Sequence, residues 1–271
     1  LARHAGVPQV AVGYAGLKDR HAVTTQHFTV HLPGRPDPDW SGLNAEGVEV
    51  LEAYRHDRQI RRGALRGNAF TIRIRDAAGD RVLAESVIAT IAGKGVPNYF
   101  GPQRFGHDGG NLQRVARLFG GEGRRPGREQ RGLLLSAARA QLFNRVLAER
   151  VVRGDWNLPV PGDVFLLAGS QRQFAFDPDD DSIPDRVAAM RIHPSGPLPG
   201  RACRSLEPDD QVGELEKTML APWHEWIDGL ARFGLDADRR ALRLVIEGLS
   251  SEWSGSDLVL RFSLPAGAYA T

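Results

Sequence analysis

Asp19 is the residue of this chain best placed to do chemistry. It lies within Gly13-Tyr14-Ala15-Gly16-Leu17-Lys18-Asp19-Arg20-His21-Ala22-Val23-Thr24, with the apolar Val10-Ala11-Val12 before it and the alternating run Thr25 to Leu32 after it. Alternation puts Phe28, Val30 and Leu32 on one face and His27, Thr29 and His31 on the other, so the spacing predicts two strands with Asp19 on their connection. A carboxylate carried on such a loop can reach a cleft, and the cations Lys18 and Arg20 on either side draw a polyanion towards it. That is the layout of a nucleophile or general base acting on a nucleic acid. A charged turn in which Asp19 caps a backbone N–H has the same composition.

Two further groups could serve a polyanionic, base-bearing substrate. From Arg55 the chain becomes strongly basic, with Arg55, His56, Arg58, Arg61, Arg62 and Arg66 opposed only by Asp57. Such a run on a connection suits phosphate, or is simply a solvated loop. Next come Asn68, whose amide offers both donor and acceptor to a base edge, and Phe70, whose ring offers a stacking face. Taken alone, the asparagine is a turn device and the phenylalanine a core residue. Tyr99, Phe100, Gln103, Arg104 and Phe105 crowd a third segment that suits splayed RNA, with Arg104 facing out and Phe100 and Phe105 packing beneath.

These groups need a frame. Val48 to Tyr54 reads as a strand, Gly67-Asn68 as a turn and Phe70 to Arg75 as a half-buried strand. Arg81 to Ile91 has helical periodicity, ended by Gly93, Gly95 and Pro97. Arg131 to Val152 is the longest helix expected, with Leu134, Leu135, Ala138, Leu142, Val146 and Val151 as its buried stripe and Arg139, Arg145 and Arg150 away from or beside it. Met219 to Phe233 reads as a helix whose tryptophans cap a core. Arg243 to Ile246 and Leu258 to Leu264 read as strands joined by a loop from Ser250 to Asp257.

Composition narrows the class. The chain has 271 residues, 41% hydrophobic and 25% charged, with a net charge of +2 that solubility alone accounts for. Lysine occurs only at Lys18, Lys94 and Lys217, so the positive charge is nearly all arginine, which suits phosphate and bases; GC-rich codon usage gives the same bias. No stretch is apolar enough to span a bilayer and none resembles a signal peptide, so a cytoplasmic protein is expected. Cys203 is the sole cysteine, which excludes an internal disulfide and a cysteine-based zinc site and suggests a buried thiol. Asp177-Pro178-Asp179-Asp180-Asp181 lacks the spacing of a calcium loop and reads as a solvated turn. Gly120 to Arg128 lacks the lysine and hydroxyl of a phosphate loop.

The segment Gly16 to Thr24 resembles the active-site loop of the TruD family of tRNA pseudouridine synthases. Four more segments resemble that family in its order: Arg62 to Phe70, Val96 to Gly106, Leu135 to Asn144, and Leu264 to Thr271. The resemblance implies Asp19 as the catalytic residue, Asn68, Phe70 and Tyr269 as substrate contacts, and Lys18, Arg20, Arg61, Arg62, Arg66 and Arg104 as RNA contacts. At Tyr269 the family usually carries phenylalanine, so the hydroxyl alters the fit of that pocket. It further implies isomerisation of a tRNA uridine, at nucleotide 13, without cofactor or metal, by a monomer that binds tRNA and no membrane. Leu1 is not a methionine and Leu1 to Pro8 read like the tail of a helix, so a fragment is expected. Family members carry a further N-terminal segment and continue briefly past the last motif.

Strands at both ends with helices between suit an α+β fold. The likeness implies a mixed-sheet pseudouridine synthase catalytic domain, residues 1–92 and 239–271, interrupted by an inserted α/β domain, the TRUD-type insertion, at 93–238. A tRNA-binding protein or RNA chaperone without chemistry is the alternative. A glycosidase with paired carboxylates fits less well, because no second acid accompanies Asp19 and Glu46, Glu49 and Glu52 look like surface positions.

Overall fold

The computed structural model describes residues 1–19, 21–123 and 126–268. It separates into two compact units, Leu1–Asn68 and Ala69–Thr271.

The first unit carries little regular structure. Ala5 N–H donates to Leu1 O, Val7 to Ala2 O and Gly6 to Arg3 O, with Gly6 at φ +62°, the bond pattern that closes a helix C-terminus. After it, Gln9–Ala11 forms a 3-10 turn where a strand was expected, because Pro8 O takes the Ala11 N–H at 2.9 Å. The ladder therefore begins later, with β1 (Val12–Tyr14) antiparallel to β2 (Phe28–Val30), the strand-forming part of the expected Thr25–Leu32 run, and His31 N–H donates to Ala11 O at 2.9 Å beyond it. Residues 48–54 are not a strand: Val48, Leu51 and Tyr54 are all exposed, and among the described residues no neighbouring strand pairs with them.

The boundary between the units falls within β3 (Gly67–Ile74). Asn68, Phe70 and Ile72 are its half-buried positions, so the expected alternation holds at Phe70 and Ile72 but not at Ile74, which is exposed, and Gly67-Asn68 belongs to the strand rather than to a turn. In the second unit β3 joins the hairpin of β10 (Glu247–Ser254) and β11 (Asp257–Pro265) in a sheet ordered β10-β11-β3. The expected loop from Ser250 to Asp257 is thus mostly ladder, turning at Gly255 with φ +64°. Helix α1 (Arg81–Lys94) starts on the Asp80 carboxylate, which accepts from Val82 N–H and Leu83 N–H, and ends at Gly95 with φ +72°. Gly93 lies inside it. Ala84, Val87, Ile88 and Ile91 line an apolar trough shared with Trp253, Leu258 and Leu260, yet Val82, Leu83 and Val87 stay exposed.

Strand β4 (Val96–Pro97) pairs with β9 (Arg243–Leu244). A helical core follows, in which α2 (Gly110–Phe119), not foreseen in the sequence, packs Val115 and Phe119 against Leu134, Leu135, Ala138 and Leu142 of α3 (Arg128–Arg153). The region expected as one helix from Met219 is divided. Helix α5 (Asp210–Leu220) ends, Pro222 sits in a 3-10 turn, and α6 (His224–Arg232) begins afresh. Trp223 and Trp226 do pack on the helical core. Cys203 is exposed, not buried, with its thiol 2.9 Å from Ala237 O.

A four-stranded antiparallel sheet completes this unit in the order β6-β5-β7-β8: β5 (Val164–Leu167), β6 (Gln173–Ala175), β7 (Ile192–Leu198) and β8 (Asp238–Ala241). Phe165 and Ile192 of the sheet pack with Ile183 and Val187 of the short α4 (Ile183–Ala188). Two buried ion pairs lie beside it. Arg239 grips Glu216 with both terminal nitrogens, at 2.5 and 3.3 Å. Arg150, expected away from or beside the buried stripe of α3, is itself buried, 1% exposed, and binds Asp163 at 2.8 Å and Asp155 at 2.6 Å.

His193 on β7 is buried and accepts Arg243 Nε–H at Nδ1, 3.0 Å away, while Arg243 Nη2 holds the carbonyls of Val187 and Ile192. Burial, with the Arg243 charge beside it, lowers the histidine from its ordinary 6.5 to about 4. The unfolded chain therefore takes up this proton first, so the stabilisation is complete above pH ~6.5 and is lost as the pH falls towards ~4. Urea unfolding should show the free energy declining across that window, by on the order of 3 kcal/mol. His193→Gln, whose amide oxygen can still accept from Arg243, should flatten the decline.

Candidate active site

In the first unit the loop after β1 carries Lys18, half-buried, and Asp19, exposed. The basic run lies alongside this loop rather than apart from it. Gly63 N–H donates to Ala15 O at 2.7 Å, Ile60 N–H to Thr29 Oγ1 at 3.0 Å, and Arg62 Nη2 to Tyr14 Oη at 2.9 Å, with the Arg62 guanidinium 5.4 Å from the centre of the Tyr14 ring. Gly13 makes the approach possible: a Cβ there would stand 2.4 Å from Ile60 O and 2.7 Å from Thr29 Oγ1. Arg61, Arg62 and Arg66 remain exposed. Arg55 is engaged locally, with Asp37 at 3.0 Å and Arg35 O at 2.6 Å. The loop also reaches Asn68, because Lys18 Nζ donates to Asn68 Oδ1. A carboxylate, a lysine-bound amide and a row of arginines thus occupy one unit, an arrangement able to hold an anionic polymer and present a base to an acid–base or nucleophilic group.

The second unit holds the other expected residues. Phe70 is half-buried on β3 and stacks on Phe262 of β11 at 5.4 Å, so its ring has a packing partner. Arg104 does not simply face out. It is half-buried, donates to Ser136 Oγ at 3.0 Å and lies 5.7 Å from the Phe100 ring centre. Asn144 on α3 accepts from Phe100 N–H and donates to Phe100 O, both at 3.0 Å. The segments 96–106 and 135–144 are therefore one construction, with the helix clamping the loop. Burial lowers the pKa of Arg139, which donates to the carbonyls of Leu198, Pro199 and Asp236. Arg20 and Tyr269 lie outside the described residues.

Sequence reasoning missed Tyr14 and Arg240. Arg240 lies 4.1 Å from the Phe100 ring centre and donates to Asn98 Oδ1 at 2.6 Å. Asn98 in turn binds Ala241 O at 2.8 Å. Nothing around Arg239-Arg240 in the sequence marks either arginine, since their partners come from distant segments. Among the described residues no group of three or more histidine, cysteine, aspartate or glutamate side chains is placed to hold a metal ion, and no helix is long and apolar enough to cross a membrane.

Comparison with known proteins identifies the family. A protein called tRNA pseudouridine synthase D from Methylococcus capsulatus is 52% identical over the whole chain, which covers 76% of that protein. The protein of that name from Nitrosococcus oceani is 48% identical with the same coverage. The fold is similar to the crystal structure of a Methanosarcina mazei protein bearing the TruD name, with a TM-score of 0.75 at 19% identity, covering all of this chain and 81% of that one. The family description of tRNA pseudouridine synthase D (TruD) matches residues 1–119 and 127–271, and the chain therefore belongs to the TruD family.

Proposed function

We propose that this chain isomerises a uridine of tRNA, at nucleotide 13, to pseudouridine, with Asp19 as the residue that acts on the ribose. The C1′–N1 bond breaks, the uracil turns in place, and C5 bonds to C1′; C5 gives up its proton and N1 gains one, so the composition is unchanged. Asp19 either attacks C1′ or takes the ribose 2′ proton. Asn68, Phe70 and Tyr269 bind the base, which must leave its stack to be reached. Lys18, Arg20, Arg61, Arg62, Arg66 and Arg104 contact the RNA. The reaction draws on the protein and the tRNA alone, and the chain works as a cytoplasmic monomer. Residues 1–92 and 239–271 form the catalytic domain and 93–238 the TRUD-type insertion.

The observation that carries this reading is the alignment of the basic run with the Asp19 loop, through Gly63 to Ala15, Ile60 to Thr29 and Arg62 to Tyr14. Tritium release from tRNA labelled at C5 of uridine is the direct test. The chain should release label from a tRNA with uridine at nucleotide 13 and not from one with cytidine there; binding without release would make it an RNA-binding protein instead.

Arginines that neutralise phosphates release counterions, so tRNA affinity should fall steeply with salt. Replacing Arg61, Arg62 and Arg66 together by alanine should reduce the slope of log affinity against log salt by about 2. An unchanged slope in filter binding across a salt series would make the run a solvated loop.

A further inference from the structure

A lysine ammonium has three N–H donors and no acceptor, so it can meet an asparagine side chain only at the amide oxygen. Lys18 and Asn68 are 50 positions apart in the first unit, both half-buried, and joined by this bond. The contact therefore settles which way the amide points, which local geometry alone would leave as two nearly equivalent orientations. With Oδ1 held by Lys18, the N–H groups of Nδ2 form the end that remains for another molecule. Uracil offers acceptors at O2 and O4 and a single ring donor at N3. A base edge that meets Nδ2 must present an acceptor, which N3–H is not.

We propose that Lys18 is a positioning residue that fixes the Asn68 amide as a hydrogen-bond donor, so that Asn68 reads a carbonyl oxygen of the target uracil and not its N3–H. This rests on the reading of Asn68 as a base contact in the proposed function. It gives Lys18 a role separate from attracting phosphate, since a lysine serving only as a positive charge has no need of an amide oxygen. Without the ammonium the amide turns about its last torsion and presents its oxygen, which accepts from N3–H but loses the carbonyl.

The test uses single-turnover rates on tRNA whose target uridine is replaced by 4-thiouridine or 2-thiouridine, because sulfur accepts a hydrogen bond less well than oxygen. One of the two substitutions should slow the parent about tenfold, the worth of one well-made hydrogen bond. That ratio should fall below about twofold in Asn68→Ala and in Asn68→Asp, which keeps the shape and the Lys18 contact but has no donor. Lys18→Met should reduce the ratio to about threefold, and Lys18→Arg should restore it. General losses of tRNA affinity or of folded protein slow both substrates alike and cancel in the ratio. A parent equally fast on all three substrates, or a Lys18→Met variant that keeps the full ratio, overturns the proposal while leaving the isomerase reading intact. A parent that makes no pseudouridine from unmodified tRNA overturns both.

Discussion

Asp19→Asn is expected to form no pseudouridine while holding tRNA within a few-fold of the parent. The amide has nearly the volume and planarity of the carboxylate, and Asp19 is exposed, so the substitution leaves no cavity and no orphaned buried group. It removes the negative charge, without which the side chain is neither a nucleophile towards C1′ nor a base for the 2′ proton. A residue that carries the chemical step typically costs more than about a thousandfold in turnover when replaced. Nucleoside analysis of tRNA after long incubation with stoichiometric enzyme measures the loss, and filter binding measures the retained affinity. Pseudouridine formed by the variant at a rate comparable to the parent would remove Asp19 from the centre of the mechanism.

The largest expected effect on stability lies far from that loop in sequence. Asp163 is fully buried, and burial pushes its carboxyl upward while the guanidinium of Arg150 pulls it back. Arg150 also donates to Asp155 and to the carbonyls of Asp155 and Leu158, so one side chain ties α3 to the loop leading into β5. Arg150→Leu removes the compensating charge and leaves Asp163 with the Val160 N–H bond at 2.8 Å. Truncating one partner of a buried pair costs about 3–5 kcal/mol, enough to unfold many domains of ordinary stability. Urea denaturation followed by circular dichroism should show that loss. Adding Asp163→Asn, which keeps the Val160 bond and removes the charge, should recover a substantial part of it. Equal stability of parent and Arg150→Leu would mean that the pair is not intact in solution.

Elements whose signal is local were legible in the sequence. The alternation of Phe70 and Ile72 locates β3, and the apolar spacing from Leu134 to Val146 locates α3, because each pattern states which face is buried without reference to the rest of the chain. Val48 to Tyr54 shows the limit of that logic: a pattern can announce a strand, but only a neighbouring ladder makes one. Arg150 is a second case. Its charge places it on the surface by any sequence rule, and its burial depends on Asp155 and Asp163, whose role the sequence does not mark. The Asp19 loop and the basic run could each be picked out, whereas their alignment could not, since it depends on the missing side chain of Gly13 opposite the Ile60 carbonyl.

The exposed flank of α1 bears on how the protein has to be handled. Val82 and Leu83 are 74% and 62% exposed beside the apolar trough of Ala84, Ile88, Ile91, Trp253, Leu258 and Leu260. A patch of this kind adheres more strongly as salting-out ions are added, whereas the grip of arginines on RNA weakens with ionic strength. The two surfaces thus pull a purification in opposite directions. Sulfate or phosphate concentrated enough to strip nucleic acid from the preparation favours adsorption and self-association through α1, while chloride screens the arginines with less of that penalty.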